Sequence, residues 1–358
     1  MDGCRFGYGH TVGVVLAVVC AFGMGVSSSR AAEPDAGDGE WPSFSVEPFR
    51  GPGAAGGRAS PVEESGKEEK TGEAEASCED EGPPLPLHTI EGMGGAFSVP
   101  SASLVNPAPA GEVFGKPSFG YIHVQLGHGK HLEVLSVTET LWDRIELGYA
   151  MDYLDVGDFY EQVNAAFGVR PEGNSVTLHN FNARVAIVHG DGPGEGWLPA
   201  LTAGVHFKLN ETIDDVDEDL GGGVEAIGIE DDSGWDFTLF ASKMFMVGRP
   251  LVATVGLRST EAAHVGLLGF TGDRRLLVEG SLCYLATDAI TLAAEYRRKT
   301  SDYDEVPGLI AEEDDWWTLD ACYLVDTHTS IAVGYGHFGH LLNHTSNRSY
   351  GVAVKYEF

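Results

Sequence analysis

The chain has 358 residues, a formal net charge of −32 and 48 glycines. With 54 acidic against 22 basic residues it has no basic surface for nucleic acid, because an anionic partner would be repelled. Its mean hydropathy of −0.08 excludes a bundle of membrane-spanning helices, and the glycine and aromatic content fits many strands and turns.

Residues 1–31 have the plan of a secretory signal peptide. Arg5 supplies a positive start. Thr11 to Met24 is an apolar run too short to span a bilayer, and Ser29-Arg30-Ala31 offers a cleavage site. Cys4 and Cys20 would leave with it. Cys78, Cys283 and Cys322 would remain, odd in number and far apart, with no disulfide or metal spacing. Residues 32–87 set fourteen acids against four bases among Gly, Pro, Ala and Ser, which predicts a disordered acidic tail on the periplasmic side. Trp41, Phe44 and Phe49 are its candidate anchors to the cell wall.

A lead-in at 88–117 opens the remainder, and it is expected to be a connecting segment or a contact with the interior of the domain that follows. Its Gly92-Met93-Gly94-Gly95 is no phosphate loop, since no Lys-Ser/Thr follows it. From 118 to 358 the sequence becomes a series of alternating apolar and polar segments of roughly ten residues separated by turn residues. Twelve are predicted: 118–126, 131–139, 142–154, 176–188, 198–209, 234–245, 250–259, 274–285, 289–299, 316–325, 329–337 and 347–358. In the last, Tyr350, Val352, Val354, Tyr356 and Phe358 oppose Gly351, Ala353, Lys355 and Glu357.

A soluble sandwich would alternate too, so three further features decide. After the first, the connections run short and long in turn, as in outer-membrane barrels with short periplasmic turns and longer outer loops. The strand count is even, so both ends of the domain fall on one side. The chain stops on Tyr356-Glu357-Phe358, and a terminal aromatic on a final alternating strand is the usual assembly signal read by the outer-membrane insertion machinery. Charge facing lipid is costly, so the charged face must line a lumen, and the backbone polar groups then demand closure. The expected fold is all-β: a transmembrane antiparallel up-and-down β-barrel of about twelve strands over 118–358.

The opening His88-Thr89-Ile90-Glu91-Gly92-Met93-Gly94-Gly95, with Leu104-Val105-Asn106-Pro107 and Phe114-Gly115-Lys116-Pro117-Ser118, resembles an uncharacterised family of bacterial outer-membrane-like β proteins that begins on T-I-E-G-x-G-G. Thr138-Glu139-Thr140-Leu141, Arg144-Ile145-Glu146-Leu147-Gly148-Tyr149 and Leu178-His179-Asn180-Phe181-Asn182-Ala183-Arg184 are similar to it as well. The resemblance covers about 88–358. It implies fold and location in the outer membrane of a Gram-negative cell, and it brings no activity.

The inward stripe is expected to carry Arg144, Arg184, Lys208, Arg258, Arg297 and Lys355 with Glu146, Asp152, Asp236, Glu279, Glu295, Asp320 and Glu357. Such a stripe either pairs across strands in a filled lumen or sets a transverse field in a water-filled pore. Loops 210–233 and 300–315 hold seventeen acids, a solvated acidic face or a place for divalent cations that bridge to lipopolysaccharide. Asp215-x-Asp217-x-Asp219 fails the calcium-loop pattern, because Gly221 comes one place late and position 226 is Ala. Closure of the barrel would bring His128 and His131 beside His337, His340 and His344, a candidate rim site for a transition metal.

Two functions from different classes follow. The leading one is porin-like passive transport of small hydrophilic solutes through an acidic outer vestibule. The alternative is a filled, non-conducting barrel with a structural or binding role. No enzyme is expected and no cofactor, since Ser136, Ser281 and Ser330 lie in no local catalytic signature. The expected partners are outer-membrane lipid, lipopolysaccharide and the insertion machinery, with Phe358 as the assembly signal.

Overall fold

A computed structural model describes residues 87–192, 196–346 and 348–358. The signal peptide and, apart from Leu87, the acidic tail lie outside the described residues. Twelve antiparallel strands form the wall: β1 (Ser118–Gly127), β2 (Lys130–Leu141), β3 (Ile145–Asp155), β4 (Ser175–Val188), β5 (Ala200–Asn210), β6 (Ser233–Val247), β7 (Arg249–Ala262), β8 (Phe270–Leu285), β9 (Ile290–Arg297), β10 (Trp316–Leu324), β11 (Thr329–His337) and β12 (Ser349–Glu357). Each pairs with the next, and β12 pairs with β1 from Tyr350↔Gln125 to Glu357↔Ser118, so the sheet closes. Closure satisfies every edge, which is what an apolar surround requires of backbone N–H and C=O groups.

Side-chain alternation assigns the two faces. On β12, Ser349, Gly351, Ala353, Lys355 and Glu357 are buried, while Tyr350, Val352, Val354 and Tyr356 are exposed. The outer surface is a continuous apolar band that includes Leu147, Phe181, Leu239, Leu257, Leu292 and Leu319, with aromatic pairs such as Phe207–Trp235 and Tyr335–Tyr350 on it. Such a band fits hydrocarbon and not water.

The barrel has two unlike ends. At the terminal end both the start of β1 and the end of β12 are found, and the Phe358 N–H donates to Pro117 O at 3.2 Å. Most turns there are short; Gly248 alone, at φ +73°, joins β6 to β7. At the loop end the connections carry helix α1 (Phe159–Phe167), helix α2 (Ile213–Asp219), the tight turn Ala263–Gly266 and a small hairpin pairing His340–Leu341 with His344–Thr345. Arg144 is corrected here. It does not line the lumen but lies in the turn at 142–144, where Trp142 and Asp143 are left-handed (φ 50° and 57°).

Candidate functional site

Residues 87–105 lie inside the barrel, and 109–114 run exposed at its terminal end, with Val113 and Phe114 open to the outside. Leu87–His88 pairs with Gly94–Gly95 in a miniature hairpin, and Ile90, Met93, Phe97, Val99 and Val105 are all buried. The wall leaves room for this segment at its glycines. A Cβ on Gly351 would overlap the Phe97 ring, and one on Gly120 would sit 2.7 Å from His88 Nδ1. No rearrangement of the wall strands is needed, because these positions carry no side chain to displace.

Polar side chains of the wall bind the segment's backbone. The Glu295 carboxylate accepts from the N–H groups of Phe97, Ser98 and Val99 at 2.9, 3.0 and 2.5 Å. Arg184 donates to the carbonyls of Gly94, Ser101 and Ser103, at 3.1, 2.8 and 2.9 Å, and pairs with Glu146 at 2.9 Å. Thr202 Oγ1 donates to Ala102 O at 2.6 Å, and Ser242 Oγ accepts from Ala102 N at 2.9 Å. The segment has little regular structure of its own, so these bonds stand in for a ladder.

Glu91 is the centre of the charge network. Its carboxylate meets Lys208 at 2.6 Å, Arg258 at 3.0 Å and Arg297 at 2.6 Å. Asp236 pairs with Lys208 and Arg258, and Glu279 with Arg258 and Arg297. Three acids thus balance three bases with water excluded, a geometry in which loss of one partner strands the others. Of the sequence-predicted lumen charges, Glu146, Asp152, Arg184, Lys208, Asp236, Arg258, Glu279, Glu295, Arg297, Asp320, Lys355 and Glu357 are all buried inside the wall. Lys355 pairs with Glu357 at 2.6 Å, while Asp152 and Asp320 make no ion pair within 4 Å among the described residues. His88, Glu91 and His206 have no place in the sequence-predicted stripe. The first two stand inside the opening motif, where an acid and an imidazole among glycines and apolar residues were the available signal.

A Ser–His contact does exist. His88 Nδ1 meets Ser136 Oγ at 2.7 Å and Nε2 meets Ser118 Oγ at 2.6 Å. The second nitrogen thus faces a hydroxyl and not an orienting carboxylate, and His88 is 2% exposed. The pair fastens the segment to β1 and β2.

Above the filled lumen the loops enclose a cavity of about 310 Å³. Helix α1 contributes Phe159, Tyr160 and Val163; α2 contributes Ile213 and Val216; the turn after β7 contributes His264 and Leu267; the β9–β10 loop contributes Leu309 and Ile310; Leu341 and Leu342 come from the last hairpin. Acids of α2 point away, as amphipathic spacing dictates, with Ile213 and Val216 buried while Asp214 and Asp215 are exposed. Partial burial and the neighbouring Asp232, Asp215 and Asp217 raise the Asp214 carboxyl above its ordinary range. Asp217 Oδ1 accepts from Val224 N and Glu225 N at 2.7 and 3.0 Å, so it shapes the loop.

The cavity floor is held to the network below. Lys208 Nζ donates to Val265 O at 2.9 Å as well as pairing with Glu91. Asn210 Nδ2 donates to Gly266 O at 2.8 Å. His264 N donates to Glu313 Oε1 at 2.9 Å, and Lys299 pairs with Glu313 at 2.8 Å. Burial pushes the Glu313 carboxyl up, but Lys299, then His264, outweigh it and hold it below the ordinary carboxylate range. Burial also keeps the His264 imidazole below its ordinary value, with Glu313 opposing and Lys299 and His340 reinforcing.

The rim metal site is corrected. Barrel closure does bring His128 against His344, but as stacked rings 3.8 Å apart, with Lys130 Nζ at 2.9 Å from His344 Nδ1. A cation on that nitrogen takes the place a metal would need. His131 stands by His123, His337 stacks on Trp317, and His340 meets Asp314 at 3.1 Å. Among the described residues no three metal-ligating side chains converge.

The family described as "Protein of unknown function (DUF3034)" matches residues 86–355. No curated protein matches. Among solved structures, the chain is similar to the KdgM porin, with 10% identity, TM-score 0.40, and 67% of this chain and 99% of that chain covered. It is likewise similar to the NanC porin (9%, 0.39, 68% and 100%) and to outer membrane phospholipase A from Escherichia coli (12%, 0.35, 67% and 92%).

Proposed function

The chain belongs to that family of unknown function, DUF3034, and from this premise we propose that it is a plugged outer-membrane barrel that captures small apolar molecules at its outer face. The observation that carries the reading is the cavity: about 310 Å³, walled mainly by aliphatic and aromatic side chains of five loops, above a lumen occupied by residues 87–105. That size is typical of small-molecule sites, and an apolar wall rewards ligands that leave water. In this orientation the loop end faces outward among lipopolysaccharide, and the terminal end faces the periplasm. The long acidic loops keep that face solvated, and Phe358 serves the insertion machinery.

Porin-like passage of hydrophilic solutes would require residues 87–105 to leave, breaking the contacts of Glu91 and Glu295. Their burial favours the filled barrel. Catalysis is not part of the proposal, because the close Ser–His contacts among the described residues, both made by His88, are sealed against the wall.

Equilibrium dialysis of radiolabelled naphthalene against the protein in nanodiscs, with empty nanodiscs as the blank, tests the cavity. Excess uptake is expected, and Leu309→Glu should abolish it by placing a charge in the apolar wall. Uptake equal to the blank contradicts the proposal.

A further inference from the structure

Helix α1 and the small hairpin after β11 both wall the cavity, the first through Phe159, Tyr160 and Val163 and the second through Leu341 and Leu342. Among the described residues one hydrogen bond joins them directly, from Asn343 Nδ2 to Gln162 Oε1. Both partners are held from behind. Gln162 Nε2 donates to Asp158 Oδ2 at 2.9 Å, and Asn343 Oδ1 accepts from Lys130 Nζ at 3.0 Å. Lys130 opens β2 and is 1% exposed, so its ammonium must give its protons to acceptors within reach and serves as a fixed post.

The same ammonium donates to His344 Nδ1 at 2.9 Å. An ammonium only donates, so Nδ1 holds a lone pair and neutral His344 carries its proton on Nε2. The ring also lies flat on His128, with 3.8 Å between centroids and 12° between planes. The charged and titratable groups around His344 are therefore Lys130 from β2, His128 from the β1–β2 turn and Asp158 ahead of α1. Burial, then Lys130 and His128, hold the imidazole below its ordinary value, and Asp158 opposes them.

Resting on the cavity reading above, we propose that His344 is a proton-operated latch that fastens α1 to the last hairpin over the cavity. When neutral it accepts from Lys130, and the chain Lys130–Asn343–Gln162–Asp158 stays closed. When protonated it has no lone pair at Nδ1, and an imidazolium faces an ammonium at hydrogen-bond distance. Like charges at that range repel. Lys130 is sealed in the wall, so the half-buried His344 and its hairpin move, and Asn343 leaves Gln162 with them. A proton that binds the open form better than the closed one opens the latch as pH falls below about 6.5, the value of a free imidazole. An apolar molecule is then kept at neutral pH and let go in acid.

The test is hydrogen exchange of the full chain in nanodiscs at pH 7.5 and pH 5, with rates corrected for the intrinsic rate at each pH. The release rate of naphthalene, which does not titrate, is measured beside it. Protection in 159–167 should fall about ten-fold in acid and naphthalene release should quicken by a similar factor, the range that one linked proton allows. His344→Gln keeps an acceptor for Lys130 and cannot gain a proton. It should retain protection in 159–167 at pH 5, while 298–315, which answers to Glu313 and His264, still loses it. His344→Lys, a permanent cation, should lack protection in 159–167 already at pH 7.5. If His344→Gln does not fold, shown by a lost mobility shift on boiling, Lys130→Met decides in its place, with protection in 159–167 low and equal at both pH values. Protection of 159–167 that ignores pH in the native protein, or that falls equally in His344→Gln, overturns the latch. Protection that falls while naphthalene release holds constant overturns its hold on the cavity. Absence of naphthalene uptake at pH 7.5 overturns the cavity reading itself, and the exchange data then decide the latch alone.

Discussion

Glu91 and Arg297 stand 206 positions apart in the chain and meet at 2.6 Å inside the barrel. The contact joins the lead-in segment to the wall, and Lys208 and Arg258 complete it. Glu91→Gln would leave three cations facing only Asp236 and Glu279. Removing one partner of a buried ion pair costs about 3–5 kcal/mol. The expected outcome is a segment that detaches while the wall, held by its own ladders, stays closed. Proteinase K should then cut within 87–105 in the variant and not in the native protein, with the boiled-versus-unboiled mobility shift unchanged in both.

Gly351→Leu tests the same seat by shape and not by charge. The new side chain would occupy the place of the Phe97 ring. Overpacking typically costs about 1–3 kcal/mol, here concentrated on the segment. Protease sensitivity of 87–105 should rise, and Phe97→Ala combined with Gly351→Leu should restore part of the protection. Resistance in the single variant as complete as in the native chain would place Phe97 elsewhere.

Lys208 touches both levels, Glu91 below and Val265 O above. Lys208→Met should therefore loosen the segment and weaken naphthalene uptake together. A change in one without the other would show that the two levels are independent.

Acid should open the roof. Glu313 is held below the ordinary carboxylate value, so its stabilising contribution is complete at neutral pH and is lost as pH falls through its folded value. His264 is also held below its ordinary value, and protonation in the acid range favours the unfolded turn, so both groups act in the same direction. Protection factors in 298–315, the exchange rates corrected for the intrinsic rate at each pH, should fall between pH 7 and pH 4, and Glu313→Gln should show low protection already at pH 7. Protection independent of pH in the native protein contradicts this.

Phe358 packs edge-on against Phe119 at 5.5 Å and Tyr356 at 4.9 Å, and it is half exposed. Deleting it removes few contacts from the finished wall. The expected result is a lower membrane yield, with unchanged heat resistance of the protein that does insert. A normal yield would deny the residue an assembly role.

The strand plan was legible because a period of two along 118–358 repeats whatever the loops do. Arg144 shows where that signal runs out. The turn at 142–144 has three residues, an odd number, so the parity of Trp142, Arg144 and Glu146 passes through it unbroken, and the left-handed Trp142 and Asp143 are neither glycine nor asparagine. The histidines show a second limit. Closure correctly predicted that the β1–β2 and β11–β12 connections are neighbours, but whether rings converge depends on side-chain direction. Lys130 and Trp317 claimed two of them. The role of Glu91 was hidden because its partners come from β5, β7 and β9, which only tertiary structure brings together. The cavity was equally hidden, since its walls are short apolar stretches in loops whose acids dominate the composition.

The most direct test is current across a planar lipid bilayer containing the native protein at neutral pH. A lumen filled by residues 87–105 predicts no steady ohmic conductance, with openings appearing in Glu91→Gln. A stable open channel of uniform conductance in the native protein would contradict a plugged barrel and return the chain to the porin-like reading.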